Sequence, residues 1–476
     1  MGKSWMFNAR SRMPVPATEL FSWHTREGAF ERLTPPWENV QVVEQRGEGI
    51  REGTQVVLRM KLGPVHRTWV ARHTKYIEGS LFQDEQVSGP LSRWVHTHRM
   101  WPEPPSSSVL EDEVVYALPL GLAGRVVGGG MARRRLERMF AYRHALTRED
   151  LRRHAAFAGQ GPLTVAVSGP TGLLGSALIP FLTAGGHRVR RMVRGKADPA
   201  RGDVAWNPDK GQIDTAALEG VDAVIHLAGA NVGQRWTPKA KEVILRSRTE
   251  GTRLLCEGLA RLQKKPRVLV CAAAIGFYGD RGDEQVTEVS APGEGFLASV
   301  CRQWEASTAP AEEAGIRVVR LRIGVVLDAR GGALAKLLPP FLMGGGGPVA
   351  GGRQWLSWVA LEDVLGLTQW ALFKPELRGP INAVAPQAVR QEELARTLGR
   401  VLSRPAVLPM PGAVVRAMFG EMGKETVLSS THVRPEVAER HGYPFMHPQL
   451  EAALRFTLGR TTAGTEFSHA PSTDEP

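Results

Sequence analysis

The sequence predicts an α/β doubly wound parallel sheet as the centre of a three-part chain. Three observations carry this. Short Val-rich runs, "LTVAVSG", "HRVRRMVR", "VDAVIHLAG", "RVLVCAAA" and "IRVVRLRIGVVL", alternate with helical segments from Leu163 to about Ala385. Their apolarity is nearly unbroken, as strands covered on both faces require. The first of them runs into "GPTGLLGSALIPFL", where glycines spaced G-x-x-G-x-x-G join a strand to a helix. On either side the texture changes: residues 1–155 show the short alternating segments of antiparallel strands, and residues 386–458 read as mostly helical.

The N-terminal part opens on "PATELFSWHTREGAFERL", read as one helix with Leu20, Phe21, Trp23 and Phe30 apolar. "GTQVVLRMKL", "RTWVARHTKYI" and "SVLEDEVVYALPL" read as strands, "WPEPPSSS" as a loop between strands, and "MARRRLERMFAYRHALTREDLRRH" as a long closing helix. The closing helix concentrates part of the net charge of +12, in Arg133, Arg134, Arg135, Arg138, Arg143, Arg148, Arg152 and Arg153. Phosphate could bind such a run. Leu136, Met139, Phe140 and Leu151 mark an apolar stripe on the same helix, so the arginines read as its solvated face. No zinc-finger, homeodomain or RNP-type signature accompanies them, and no nucleic-acid partner is expected.

After the linker "AFAGQGPL", each glycine of the turn has a physical task. Gly169 permits the tight exit from the strand, Gly172 lets a pyrophosphate approach bare backbone, and Gly175 lets the helix pack close to the sheet. The helix start offers free N–H groups and the positive end of its dipole. The second strand ends at Arg194, where an NAD-specific site usually places an acidic residue. An arginine there suits a 2′-phosphate, which points to NADP rather than NAD; a surface arginine past a strand end is the other reading. Ala228 and Gly229 close the third strand with small residues. In the helix that follows, Val243, Ile244, Leu254 and Leu255 are expected to face inward, and Arg248 either reaches the cofactor or is solvated. "FLMGGGGPVAGGRQWLSWVALEDV" reads as a glycine loop, a lid or a connector, ahead of a helix start. The third part carries "RQEELARTLGRVL", "PGAVVRAMF" and "HPQLEAALRFTL" as helices, and residues 459–476 read as a disordered tail.

A chain of 476 residues exceeds one compact core. No apolar run reaches the roughly 20 residues of a bilayer span, and the N-terminus has no apolar h-region, so no transmembrane segment is expected and a cytoplasmic location is the default. Cys256, Cys271 and Cys301 form no CxxC pair and read as reduced core thiols. Cysteine and histidine show no recognisable ligand spacing, so no metal is expected.

"VSGPTGLLG", "VIHLAGANV", "LRSRTEGTRLL", "AAAIGFYGD", "VCRQWEAS", "VVRLRIGVVLDARGGAL" and "SWVALEDV" resemble the extended, epimerase-type short-chain dehydrogenase/reductases, and within them the poorly characterised "epimerase family" subgroup of NADP-binding proteins. The resemblance covers about residues 163–460, including the small helical C-terminal domain of that subgroup. It implies a Rossmann domain at 163–385, a C-terminal lobe at 386–458, and NADP bound by Gly169, Thr171, Gly172, Leu173, Gly175, Val193, Arg194, Leu227, Ala228 and Arg248. It also exposes a departure. The superfamily's proton relay uses a Tyr, a Lys four residues on, and a Ser or Thr on the preceding strand. Here "GFLASVCRQWEAS" offers Phe296 with Val300, or Leu297 with Cys301, the second register keeping Glu305 in its usual place, and "VLVCAAAIGFYG" has alanines for the hydroxyl. Tyr278 is the nearest phenol, readable as a replacement acid or as a packing residue, and Trp358 stands where the family closes its substrate lobe. Residues 1–155 resemble the START-like, polyketide-cyclase-like helix-grip domains, whose sheet curls around the last helix and leaves an apolar cavity. Together these imply an oxidoreductase or epimerase-type enzyme acting on an apolar small molecule presented by the first domain, or else a silent NADP-binding sensor or a hydrophobic-ligand carrier.

Overall fold

The computed structural model describes residues 4–38, 40–62, 65–119, 121–461 and 464–471. Its contacts divide the chain into two units: Met1–Gly159 with Pro180–Gly186 and Leu458–Pro476, and Gln160–Ile179 with His187–Thr457.

The first unit is an antiparallel sheet gripped by a helix. Its elements are β1 (Trp5–Met13), α1 (Ala17–Thr25), α2 (Ala29–Leu33), β2 (Val40–Arg46), β3 (Gln55–Leu62), β4 (Val65–Ile77), β5 (Leu81–Ser88), β6 (Arg93–Glu103), β7 (Ser107–Ala117) and α3 (Gly121–Ala155). The strands order β2-β3-β4-β5-β6-β7-β1, followed by a C-terminal strand, Glu466–Pro471. Phe7, Ala9, Val114 and Tyr116 of the sheet pack on Leu136 and Phe140 of α3, the stripe that the sequence marks. The expected single helix at the start is two, because Gly28 at φ +89° breaks it, a conformation that L side chains rarely adopt. Phe30, in the second of them, is exposed.

The C-terminal strand corrects the expectation of a disordered tail over residues 466–471; residues 462–463 and 472–476 of that tail lie outside the described residues. Residues 466–471 pair antiparallel with β1, from Arg10 opposite Glu466 to Trp5 opposite Pro471. The physical reason is alternation. Phe467 meets Phe7 at 5.8 Å, and His469 stacks on Trp5 at 4.9 Å while its Nε2 lies 2.9 Å from the Tyr116 hydroxyl. A short polar segment thereby completes an otherwise open sheet edge.

The second unit holds β8 (Thr164–Ser168), α4 (Leu173–Ala184) as far as Ile179, β9 (Arg188–Val193), β10 (Val204–Asn207), β11 (Gln212–Ile213), β12 (Ala223–His226), α5 (Pro238–Ala260), β13 (Val268–Ala274), β14 (Gln285–Val286), α6 (Phe296–Ala306), α7 (Ala309–Glu313), β15 (Arg317–Ile323), β16 (Val325–Asp328), α8 (Gly332–Leu342), β17 (Trp355–Leu356), β18 (Trp358–Ala360), α9 (Leu361–Phe373), β19 (Gly379–Ala383), β20 (Val389–Arg390), α10 (Gln391–Leu402), α11 (Gly412–Thr426), β21 (His432–Val433), α12 (Glu436–Arg440) and α13 (Leu450–Thr457). Its main sheet orders β11-β10-β9-β8-β12-β13-β15-β19, parallel except where β11 turns back on β10. This is a Rossmann sheet. From β8 the chain crosses to β9 on one side, and β12 lies on the other, so the strand order reverses between β8 and β12. A crevice opens at the carboxyl ends of such strands.

Every strand expected from the apolar runs is present, and Ala166, Val224, Leu269 and Val318 lie at most 2 % exposed between the helices. Ile244 and Leu255 of α5 are buried as expected, but Val243 is exposed, since it lies one residue round the helix from Ile244. The C-terminal region is helical in α10, α11 and α13 and is tied in by two-residue ladders, β14 with β21 and β17 with β20. Among the described residues no helix is long and apolar enough to cross a membrane.

Candidate functional site

The turn between β8 and α4 is built around absent side chains. Gly169 has φ +69°, and a Cβ there would stand 3.0 Å from the Ala228 nitrogen. A Cβ on Gly175 would overlap the Gly169 carbonyl, so helix and turn approach as closely as the missing methyl allows. A Cβ on Gly172 would meet nothing nearer than 3.5 Å. Its bareness therefore serves the space outside the turn rather than protein packing. Gly172 donates its N–H to the Gly169 carbonyl, and Ser176 donates to Gly172. The N–H groups of Thr171, Leu173 and Leu174 meet no acceptor among the described residues. They are the free donors at a helix start that an anion can use.

Beneath the turn lies a buried polar chain that no local sequence motif announces. The Ser168 hydroxyl oxygen accepts the N–H groups of Leu227 (3.1 Å) and Ala228 (3.3 Å), and stands 2.7 Å from His226 Nδ1. On the other side of the ring, His226 Nε2 lies 3.1 Å from the Thr252 hydroxyl, which also accepts the indole N–H of Trp304 at 3.0 Å. Ser168, His226 and Thr252 are wholly buried, and burial pushes His226 down to about 4. A neutral imidazole fits the chain in one tautomer: Ser168 donates to Nδ1, and Nε2–H donates to Thr252. The one signal in the sequence is a polar residue ending each of two apolar strands, Ser168 on β8 and His226 on β12.

The residues expected around a dinucleotide gather at this end of the sheet. Val193 ends β9, and Arg194 follows it, exposed and with no ion pair among the described residues. Its neighbour Arg191 is taken by Asp203 at 2.9 Å. Leu227 and Ala228 are fixed by Ser168. Arg248, on α5, donates to the carbonyls of Ala230 (3.0 Å) and Ile244 (3.2 Å), and its guanidinium lies 5.0 Å from the centre of the Trp304 ring. It is neither free nor fully solvated; it shapes the loop after β12.

The groups expected to carry chemistry are placed differently. Tyr278 is 0 % exposed; its hydroxyl donates to Asn382 Oδ1 at 2.7 Å and accepts from Arg322 at 2.9 Å. Burial raises its pKa, against the lowering effect of Arg322. Arg322 also holds Glu305 at 2.7 and 2.9 Å. The phenol is thus one member of a buried structural knot. Cys301 is buried, and burial pushes its thiol up to about 12, which leaves no thiolate at neutral pH. Trp358 is likewise 0 % exposed, its indole N–H donating to the Gln387 carbonyl at 2.8 Å. Beside it, the Ser357 hydroxyl donates to Thr431, and the Asp363 carboxylate accepts the N–H groups of Met446 (2.8 Å) and His447 (3.0 Å). These three residues anchor the C-terminal lobe.

A model of the NAD dependent epimerase/dehydratase family matches residues 165–383, one of a domain of unknown function (DUF1731) matches 410–457, and one described as polyketide cyclase / dehydrase and lipid transport matches 13–140. The epimerase family protein MT2273 of Mycobacterium tuberculosis is 39 % identical over 297 residues, which is 62 % of this chain and 98 % of that one. This chain belongs to the epimerase family. Another member, the human epimerase family protein SDR39U1, is 33 % identical over 297 residues, 62 % of this chain and 99 % of its own. The crystal structure of human SDR39U1 (isoform 2) with NADPH superposes with a TM-score of 0.57 at 32 % identity, over 62 % of this chain and 98 % of that chain. A Corynebacterium glutamicum protein, described as a nucleoside-diphosphate sugar epimerase, superposes with a TM-score of 0.78 at 32 % identity, over 95 % of this chain and 90 % of that one. The first three thus match the epimerase-family part, and the last matches nearly the whole length of the chain.

Proposed function

We propose that this chain binds NADP(H) at the carboxyl ends of β8, β9 and β12 and transfers hydride to or from an apolar small molecule. The observation that carries the cofactor reading is the β8–α4 turn, where Gly175 closes on the Gly169 carbonyl and the N–H groups of Thr171, Leu173 and Leu174 stay free. A pyrophosphate would lie over Gly172. Arg194, exposed and without an ion pair among the described residues, would meet the 2′-phosphate, and the human relative crystallised with NADPH supports that choice over NAD. Leu227 and Ala228 would form the floor, held level by Ser168. The bound cofactor supplies a hydride at the nicotinamide ring.

The chain's own part is to orient and to exclude water. Tyr278 and Glu305 are committed to Arg322, so the reading assigns neither of them a proton to transfer. It favours a substrate whose carbon takes hydride with little proton assistance. Match of the first domain to polyketide cyclase / dehydrase and lipid transport proteins supports an apolar ligand for that domain. Fusion of a carrier to a reductase raises the local concentration of that ligand without new contacts.

The committed state of Tyr278 also supports a second reading, a catalytically silent NADP sensor. Oxidation of NADPH in the presence of a cell lipid extract separates the two. Turnover supports the enzyme; a raised melting temperature with NADPH but no turnover supports the sensor.

A further inference from the structure

We propose that the N-terminal domain holds a divalent transition-metal ion between Asp84, His96 and His98. Sequence spacing conceals the site, because its donors come from neighbouring strands and not from one motif. Asp84 on β5 is directly opposite His96 on β6. His98 lies two residues further along β6, hence on the same face, and directly opposite Asp112 on β7. That face looks into the domain, where α1 contributes His24 and α3 contributes His144. A face that packing alone would fill with apolar residues instead carries two carboxylates and several imidazoles.

The geometry fits a small ion. One ligand atom from each of Asp84, His96 and His98 can be chosen so that all lie within 4.8 Å of one another. Asp84 Oδ2 and His96 Nδ1 are 3.5 Å apart. Two ligands about 2.1 Å from a tetrahedral ion stand roughly 3.4 Å apart. The other ring nitrogen of His96, Nε2, faces Asp112 Oδ1 at 3.0 Å, and His144 Nε2 faces Asp112 Oδ2 at 2.6 Å. This is the carboxylate–imidazole support that orients metal-binding histidines from behind.

A second observation is the unmet polar atom of His98. The residue is 8 % exposed, and its Nδ1 makes no well-directed hydrogen bond, only a 2.5 Å contact with Asp112 Oδ1. Buried imidazole nitrogens without partners are costly unless something else uses them. His73 on β4, paired across from Asp84, likewise has a buried Nδ1 with no partner. Two imidazoles and one carboxylate suit zinc, cobalt or iron(II) and leave coordination positions open.

The test uses the full chain after removal of metals with a chelator. Titration with Co²⁺ is followed by its visible absorption, and zinc retained after desalting is counted. One equivalent of each is expected, with the cobalt signal lost in Asp84→Asn and His98→Gln and kept in His66→Gln, an exposed control on β4. X-ray absorption of the zinc-loaded wild type needs no variant: two imidazoles and a carboxylate oxygen are expected. No stoichiometric binding by the folded wild type overturns the site. So does binding untouched by both variants, or a shell of sulfur or of water oxygen alone.

Discussion

Ser168 and His226, at the ends of the adjacent strands β8 and β12, are joined by a 2.7 Å hydrogen bond that also ties the floor of the proposed cofactor crevice to the sheet. The serine that holds the imidazole is the one that accepts the N–H groups of Leu227 and Ala228. Removing its hydroxyl orphans two partly buried backbone donors and one buried imidazole nitrogen. Ser168→Ala is expected to cost about 1–3 kcal/mol in chemical denaturation and to weaken NADPH binding. A variant as stable as wild type would remove the network from the account.

Acid sensitivity follows from the same ring. His226 titrates at about 4 in the folded chain, below its unfolded value near 6.5, because burial disfavours the cation. The unfolded chain therefore takes up the proton first. The stability contributed by neutral His226 is complete above pH 6.5 and declines as pH falls toward 4. Between pH 7 and 5 the loss is on the order of 2 kcal/mol. Urea melts at the two pH values, compared with those of His226→Gln, check this: the variant should lose that part of the pH dependence.

Arg194 separates the two nicotinamide cofactors. Arg194→Ala is expected to lower NADPH affinity about tenfold or more and leave NADH affinity unchanged, since one charge-assisted contact contributes roughly 1.5–3 kcal/mol. Calorimetric titration with each cofactor reads it. Equal losses for both would place Arg194 elsewhere than at the 2′-phosphate.

Tyr278→Phe distinguishes packing from proton transfer. Loss of the bonds to Asn382 and Arg322 is expected to lower stability by about 1–3 kcal/mol, with NADPH affinity intact. Once a substrate is found, its turnover should fall less than tenfold; a loss of 100-fold or more is what a proton donor would give.

Continuous apolar runs reveal the parallel strands in the sequence alone, and glycine spacing marks the turn, because both are local consequences of burial and backbone freedom. What the sequence conceals depends on pairing between distant segments. Ser168 and His226 are 58 residues apart in sequence, and nothing local says that they touch. The histidines of β6 read as ordinary alternation until the register sets them against Asp84 and Asp112. The strand at 466–471 has a tail's composition, and only the open edge of β1 makes it a strand. Tyr278 and Trp358 occupy positions of functional promise in the sequence, yet their polar atoms are committed to Asn382, Arg322 and Gln387.

The most direct measurement is thermal unfolding of the whole chain with and without NADPH, beside Gly175→Ala as the variant whose methyl would overlap the Gly169 carbonyl. At a hundredfold excess over Kd, NADPH should stabilise the wild type by about 2.7 kcal/mol, a shift of several degrees, and the variant by much less. A wild-type melting temperature that neither NADPH nor NADH moves would contradict the account at its centre.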